Sequence, residues 1–270
     1  MISGKIAAYP HIVWTVLFIV LPLLFVAYFA FTTPDGAFTF ENIFALGDHK
    51  VTFILSVSLS LIATLCCFIV GYPLAFLMAR ARPKNQKMLI TLLMLPMWTN
   101  LLIRTYSMMA LMDDAGIING ILTALDVGAV RMIGTKTAVV FGMAYDFFPY
   151  MVLPIYTAIC KIDNSVLEAA SDLGGNPIQV MTKVIFPLSS SGIVSGITMV
   201  FVPSISTFYI SQKLGGGTFD LLGDAIERQF QNVSTYNVGA AMSLVMMVLV
   251  LLSLWFMNRF TDGTEGGTAG

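Results

Sequence analysis

Long runs of apolar residues, separated by short polar loops, form the main pattern of this chain. A helix that crosses the hydrocarbon core of a bilayer needs about 20 apolar residues. Six runs meet this length, at residues 11–31, 51–79, 88–111, 137–160, 188–211 and 238–260. The pattern predicts an all-α membrane protein with six transmembrane helices in a single domain of residues 1–260. Residues 261–270 are rich in Gly and Thr and predict a disordered tail.

The composition supports a membrane location. Hydrophobic residues make up 57% of the chain and charged residues only 11%, and the mean hydropathy is +0.85. Such a chain cannot cover a soluble domain with polar surface. The first run is too long for a signal peptide and lacks a small-residue cleavage site, so we expect it to remain as an anchor.

The loop charges predict the orientation. Most positive side chains fall near alternate ends of the runs, at Lys5, Arg80, Arg82, Lys84, Lys87, Lys161, Lys183 and Arg259. Positive loops face the cytoplasm. We therefore expect a multi-pass protein of the cell membrane with both termini and the loop of residues 161–187 in the cytoplasm.

That loop holds a polar motif of defined spacing. Glu168, Ala169 and Ala170 are followed by Gly174, and Pro187 comes thirteen positions later. This spacing resembles the E-A-A, three residues, G, nine residues, I-x-L-P loop by which permease subunits of ABC importers engage their ATPases. The resemblance implies a type I ABC importer permease fold with a cytoplasmic coupling helix. The coupling residues that it implies are Glu168, Ala169, Ala170, Asp172, Leu173, Gly174 and Pro187.

Local chemistry predicts an elbow of two helices in the loop. Residues 163–165 are good N-caps, and Gly174 and Gly175 suit the left-handed end of a first helix. Asn176 with Pro177 suits the start of a second. An apolar stripe is expected at Val166, Ala169, Ala170 and Leu173.

Glu168 has two interpretations of equal weight. It is a coupling residue by its place in the motif, but Ser165 and Glu168 also have the spacing of a capping box that only closes the start of their own helix.

Further segments resemble polyamine (spermidine/putrescine) importer permeases, at residues 94–106, 116–119 and 148–156. The resemblance implies a homologous second permease, a dimer of ATPase subunits, an external solute-binding protein and a small cationic substrate. ATP and Mg are expected on the partner ATPase, with no cofactor or metal on this chain. Membrane lipid is an expected partner and nucleic acid is not.

Two charged residues lie inside the predicted spans. Arg104 and Asp146 are about 10 and about 14 Å from the outer ends of their runs, at 1.5 Å per residue, so they can meet. Asp146 is either the partner of Arg104 in a structural ion pair or a counter-ion for a passing ammonium group. The candidate translocation path comprises Trp98, Arg104, Tyr106, Asp146, Tyr150, Phe208 and Tyr209.

Small residues mark one face of the fifth span. Gly192 and Gly196 are spaced for close helix packing, and the sequence leaves open whether the contact lies within the chain or with a second permease.

Other functions remain as alternatives. The chain has no Walker phosphate loop, nucleophile elbow or H-E-x-x-H helix, so we expect a transport subunit and no enzyme. A membrane-embedded enzyme would have to use Asp146 with His49, or Asp113 with Asp114. A carrier without an ATPase is a second alternative. Within ABC importers, iron, thiamine or an amino-acid derivative are alternative substrates.

Overall fold

The computed structural model describes residues 4–265, and most of these residues are helical. The α-helices are α1 Gly4–Thr15, α2 Leu21–Ala30, α3 Glu41–Phe44, α4 Lys50–Arg80, α5 Pro83–Met94, α6 Leu101–Met112, α7 Ile117–Ala124, α8 Lys136–Cys160, α9 Asn164–Asp172, α10 Pro177–Val180, α11 Phe186–Leu188, α12 Ser190–Ser206, α13 Tyr209–Leu214, α14 Leu222–Phe230 and α15 Tyr236–Glu265. Shorter π or 3₁₀ segments lie at Val16–Val20, Ala45–His49, Leu95–Trp98, Met181–Ile185 and Val233–Thr235.

Four of the six predicted spans are continuous helices that are long and apolar enough to cross a membrane. They are Tyr9–Ala30, Glu41–Arg80, Lys136–Cys160 and Val233–Met257, and we number them as the first, second, fourth and sixth spans. The third and fifth spans are each a bent pair of helices. Counting each pair as one span, the described residues hold six spans, in agreement with the prediction.

The third span is broken, whereas the sequence predicts one helix over residues 88–111. Pro83–Trp98 and Leu101–Ala124 meet at 91°. Pro96 cannot donate a backbone hydrogen bond, and Thr99 and Asn100 are extended. The side chain of Asn100 then accepts a hydrogen bond from the Leu102 amide at 2.8 Å and begins α6.

The fifth span is bent by 67° between Pro177–Leu188 and Ser190–Ser206, and it ends earlier than predicted. Helix α12 stops at Ser206, and residues 209–211, which the sequence places in the span, belong to the separate helix α13. Thr207 is extended, and its carbonyl oxygen would lie 2.6 Å from a Cβ at Gly223. Glycine is therefore required where this turn packs on the start of α14.

The last helix continues farther than predicted. Helix α15 runs to Glu265, whereas the sequence places its end at residue 260. Residues 266–270 of the predicted disordered tail lie outside the described residues.

The core is formed by the second, fourth and fifth spans, which pack side by side. Small residues bring their backbones together. A Cβ at Gly192 would lie 2.5 Å from the Cβ of Ala158 and 2.7 Å from the Pro154 carbonyl oxygen, and one at Gly196 would lie 3.0 Å from the Met151 carbonyl oxygen. The Gly192–Gly196 face therefore packs on the fourth span of the same chain, which answers the question that the sequence leaves open.

The first and sixth spans complete the bundle. Helix α2 packs against α15, and Ala240 and Ala241 are fully buried at this contact. The first span otherwise exposes most of its apolar side chains, as expected for a helix that faces lipid or another subunit.

We predict that Gly192→Val destabilises the protein by about 1–3 kcal/mol, because a larger side chain overpacks the contact with the fourth span. The matched control is Gly120→Val, since a Cβ at Gly120 of α7 meets no atom within 4 Å. The measurement is thermal unfolding of the purified protein in detergent. Equal melting temperatures for the two variants would contradict the prediction.

Candidate functional site

The loop between the fourth and fifth spans folds into the predicted elbow. Helix α9 ends at Asp172, and Gly174 has a φ of +82°. The amide of Gly175 donates to the Ala170 carbonyl at 3.1 Å, which closes the left-handed helix end. Asn176 then begins α10 with a reciprocal capping box. Its side chain accepts from the Gln179 amide at 2.8 Å, and its own amide donates to the Gln179 side chain at 3.1 Å.

Glu168 does not form the capping box that the sequence offers as an alternative. Helix α9 begins with Asp163 as its N-cap residue, so Ser165 already lies inside the first turn. The side chain of Glu168 is exposed. That alternative is therefore wrong. Within residues 4–265 the Glu168 carboxylate has no hydrogen-bond or ion-pair partner.

The apolar stripe of α9 does not face the rest of the chain. Leu167 is the residue that packs inward, against the core cluster that includes Ile185. The predicted stripe lies mostly on the exposed side, and Leu173 is 90% exposed. Ile178, at the start of the second helix of the elbow, is 74% exposed. A short polar loop thus presents large apolar side chains to its surroundings, which is typical of a protein contact surface.

The bend of the fifth span is tied to the second span. Pro187 is exposed in α11, directly before the bend at Ser189. The Ser189 hydroxyl is buried and lies 3.2 Å from the Tyr72 hydroxyl, within hydrogen-bonding distance. The sequence carries no signal for this contact, because the two residues are far apart in the chain and neither belongs to a motif.

A groove of about 470 Å³ separates the elbow from the end of the second span. Glu168 and Asp172 line it on one side and Arg80 on the other. The Arg80 guanidinium lies 5.6 Å from the centre of the Phe76 ring, so a cation–π contact holds it there. The predicted coupling residues therefore border a charged groove at the loop end of the bundle.

Arg104 and Asp146 form a buried ion pair between the third and fourth spans. Arg104 Nε lies 3.2 Å from Asp146 Oδ1, and the two side chains are 13% and 1% exposed. Neither Asp146 oxygen accepts a well-aligned hydrogen bond within residues 4–265, so the contact is electrostatic. The geometry agrees with the structural interpretation of the pair.

The remaining candidate path residues do not share one cavity. Tyr106 and Tyr209 contact each other, with ring centres 6.3 Å apart. Trp98, at the break in the third span, is 75% exposed. Tyr150 lines a groove of about 710 Å³ between the fourth and fifth spans, and Phe208 is 42% exposed.

Asp224 is a buried acid that sequence reasoning does not single out. Its two oxygens accept hydrogen bonds from the Ser211 hydroxyl at 2.9 Å and the Leu221 amide at 2.8 Å. It lies in the first turn of α14, outside the candidate spans. Burial raises the pKa of the Asp224 carboxyl to about 6, although both hydrogen bonds act to lower it. The Leu222 amide donates to Ser56 Oγ at 2.7 Å, so this helix start is fixed to the second span.

The helical bundle with a glycine elbow between its fourth and fifth spans agrees with the predicted class of importer permeases. The chain belongs to the family of binding-protein-dependent transport system inner membrane components, which it matches over residues 6–265. It is therefore a multi-pass membrane subunit of a transport system, and the predicted family is confirmed.

Individual relatives cover nearly the whole chain. Over 256 residues it is 37% identical to the spermidine/putrescine transport system permease protein PotB of Haemophilus influenzae, covering 91% of this chain and 90% of the relative. Over 262 residues it is 38% identical to PotB of Escherichia coli, covering 92% and 95%. The inner membrane ABC transporter permease protein YdcU of Escherichia coli is 26% identical over 243 residues, covering 84% and 77%.

Solved structures show the same fold. A chain of a bacterial ABC transporter that imports the acidic polysaccharide alginate superposes with a TM-score of 0.76 at 18% identity, covering 98% of this chain and 95% of that one. A chain of the MetNI methionine ABC transporter superposes with a TM-score of 0.60 at 16% identity, covering 80% and 95%. These likenesses confirm the predicted importer-permease fold.

We predict that Asp146→Leu destabilises the protein by about 3–5 kcal/mol, because it leaves the Arg104 guanidinium buried without its partner. The double variant Arg104→Met with Asp146→Leu recovers much of this loss. Thermal unfolding of the wild type, the two single variants Arg104→Met and Asp146→Leu, and the double variant measures the coupling. As a control, Asp220→Leu removes the partly exposed partner of the exposed Arg228 and costs about 1 kcal/mol or less. Additive effects of Arg104→Met and Asp146→Leu would contradict the prediction.

We also predict that Asp224 makes stability depend on pH. Because its pKa in the folded chain is about 6, above the ordinary 3.8, the folded state holds this proton more tightly than the unfolded state. Stability therefore falls as the pH rises from about 4 to 6, and the loss is complete above that range. Asp224→Asn should flatten this part of the profile of melting temperature against pH. The exposed Asp114→Asn should leave it unchanged, and equal profiles for both variants would refute the assignment.

Proposed function

We propose that this chain is a permease subunit of an ATP-driven importer of polyamines such as spermidine and putrescine. The observation that carries the proposal is the identity of 37–38% to spermidine/putrescine permeases over more than nine-tenths of the chain. Since the match covers nearly the whole chain, it includes most of the residues of the spans.

The chain works with separate partner proteins. A homologous second permease completes the translocation path, a dimer of ATPase subunits binds ATP and Mg, and an external binding protein delivers the cation. Both termini and the elbow lie in the cytoplasm, which agrees with the positive charges at Arg80, Arg82 and Lys183.

The elbow is the site for the ATPase in this proposal. Leu173 and Ile178 are exposed apolar side chains in a polar loop, and Glu168 and Asp172 lie beside them with free carboxylates. An ATPase surface that covers the two apolar side chains would hold the elbow firmly. Because Gly174 fixes the angle between α9 and α10, movement of the ATPase is passed to the fifth span as a rigid displacement.

The two broken spans support a mechanism of alternating access. The bends at residues 99–100 and at Ser189 are the positions at which the helices reorient in this proposal, so that the cavity opens to either side in turn. The path comprises Trp98, Tyr106, Tyr150, Phe208 and Tyr209 with the Arg104–Asp146 pair behind it. In this arrangement Asp146 positions Arg104, and aromatic faces meet the substrate.

The experiment that tests the substrate is uptake of radiolabelled spermidine and putrescine into vesicles that hold the chain with its genomic neighbours, with and without ATP. ATP-dependent uptake of either amine is the expected result. If ATP hydrolysis is coupled to uptake of another solute, the polyamine assignment is wrong. If amine uptake needs no ATPase, the ABC mechanism is wrong.

We predict that Gly174→Val uncouples ATP hydrolysis from uptake and lowers uptake at least about tenfold. A Cβ at Gly174 meets no atom within 4 Å, so the effect comes from the left-handed backbone, which a β-branched residue rarely adopts. Gly174→Asn should retain most activity, because Asn tolerates this conformation.

The matched control is Gly128→Val. Gly128 also has a positive φ, +85°, and open space around it, but it lies in the loop between the third and fourth spans. Uptake and ATPase rates are measured at equal amounts of assembled complex. Normal uptake by Gly174→Val, or equal losses in both valine variants, would argue against a coupling elbow.

A further inference from the structure

A lysine ammonium lies against two tyrosine rings where α6 meets α13. Lys213 Nζ is 5.3 Å from the centre of the Tyr106 ring and 5.8 Å from that of Tyr209. The two rings are nearly perpendicular, at 80°. Both distances fall within the range of about 6 Å for a cation–π contact. The rings therefore form two walls of a site that already contains an ammonium group.

No carboxylate neutralises this ammonium. The ion pairs found in residues 4–265 are Arg104 with Asp146 and Arg228 with Asp220, and neither includes Lys213. The two tyrosines are thus its partners, through their ring faces and through a side-chain hydrogen bond with Tyr106. An ammonium held by neutral tyrosines is bound more weakly than one paired with a buried carboxylate, so another cation can replace it.

One side of the site is open. Tyr106 is 47% exposed and the neighbouring Phe208 is 42% exposed, although Tyr106 belongs to the apolar third span. A lysine head group is costly in hydrocarbon. Because Lys213 places its charge against this ring, the open side borders water or another subunit and not lipid tails. We expect this open side to border the water-filled path, where a soluble cation can reach it.

We propose that Tyr106 and Tyr209 form a binding site for a primary alkylammonium group, which Lys213 occupies in the absence of substrate and leaves when substrate enters. The lysine side chain is an ammonium on a four-carbon stem, the same unit as one end of putrescine. That the incoming cation is a polyamine rests on the proposed function. That the two rings bind an ammonium group is inferred from their contacts with Lys213.

The test is the KM for ATP-dependent putrescine uptake in vesicles with the complete transporter. Lys213→Met removes the internal competitor and should lower KM by about three- to tenfold, the range expected for one cation–π contact. Lys213→Arg keeps a cation on the rings and should stay near the wild-type KM. An unchanged or higher KM for Lys213→Met would overturn the displacement.

The rings are tested by a conservative pair. Tyr106→Leu removes the aromatic face and should raise KM by about three- to tenfold, whereas Tyr106→Phe keeps the face and should restore the wild-type KM. Tyr28→Leu, at an exposed tyrosine of the first span, is the matched control and should leave KM unchanged. A raised KM in Tyr106→Phe as well would mean that the hydroxyl, and not the ring face, binds the substrate. That result would overturn the proposed aromatic site.

The two proposals fail in different ways. Wild-type vesicles without ATP-dependent putrescine uptake would overturn the proposed function and this site together. Wild-type uptake with the same KM in Lys213→Met and Tyr106→Leu would overturn the site alone. ATPase activity of each assembled complex reports whether a variant has folded, and Lys213→Arg and Tyr106→Phe supply the comparison where a larger change does not fold.

Discussion

Close backbone contact among the second, fourth and fifth spans is the interaction on which the rest of the structure depends. Helices in lipid gain little from burying apolar side chains against each other, so tight packing at small residues holds them together. Gly192 and Gly196 place the fifth span directly on the fourth, and a Cβ at Gly71 would lie 3.2 Å from Met151. Larger residues at these positions would separate the three helices to which the broken spans and the elbow are attached.

The two broken spans are fixed to this core by polar contacts. Arg104 ties the second half of the third span to Asp146 of the fourth, and Ser189 ties the bend of the fifth span to Tyr72 of the second. Polar groups buried in a bundle must find partners, so such contacts determine where a broken helix can attach. The bends are thus defined by partners in the rigid part of the molecule as well as by local sequence.

The sequence predicts what depends on local chemistry and misses what depends on tertiary contacts. Apolar run length gives the six spans, and Gly174 with Asn176 gives the elbow, because a left-handed residue and a capping box are local features. The stripe of α9 does not show which residue packs inward, since Leu167 lies outside it and finds a neighbour in Ile185 that no helical period reveals. The break after Trp98 is missed because a proline within an apolar run is compatible with a mild kink as well as with a 91° turn.

The distribution of charge limits how this chain can bind a cation. Its six apolar runs contain a single carboxylate, Asp146, and the structure places that carboxylate in a buried pair with Arg104. Asp224 is buried too and holds two hydrogen bonds of its own. Asp113 and Asp114 are exposed just beyond the end of α6. Along α6 itself, Tyr106 is an exposed aromatic residue, and a ring face attracts an ammonium without a net charge. The proposed path therefore offers ring faces to a cation, while the single carboxylate within the six runs is held by Arg104.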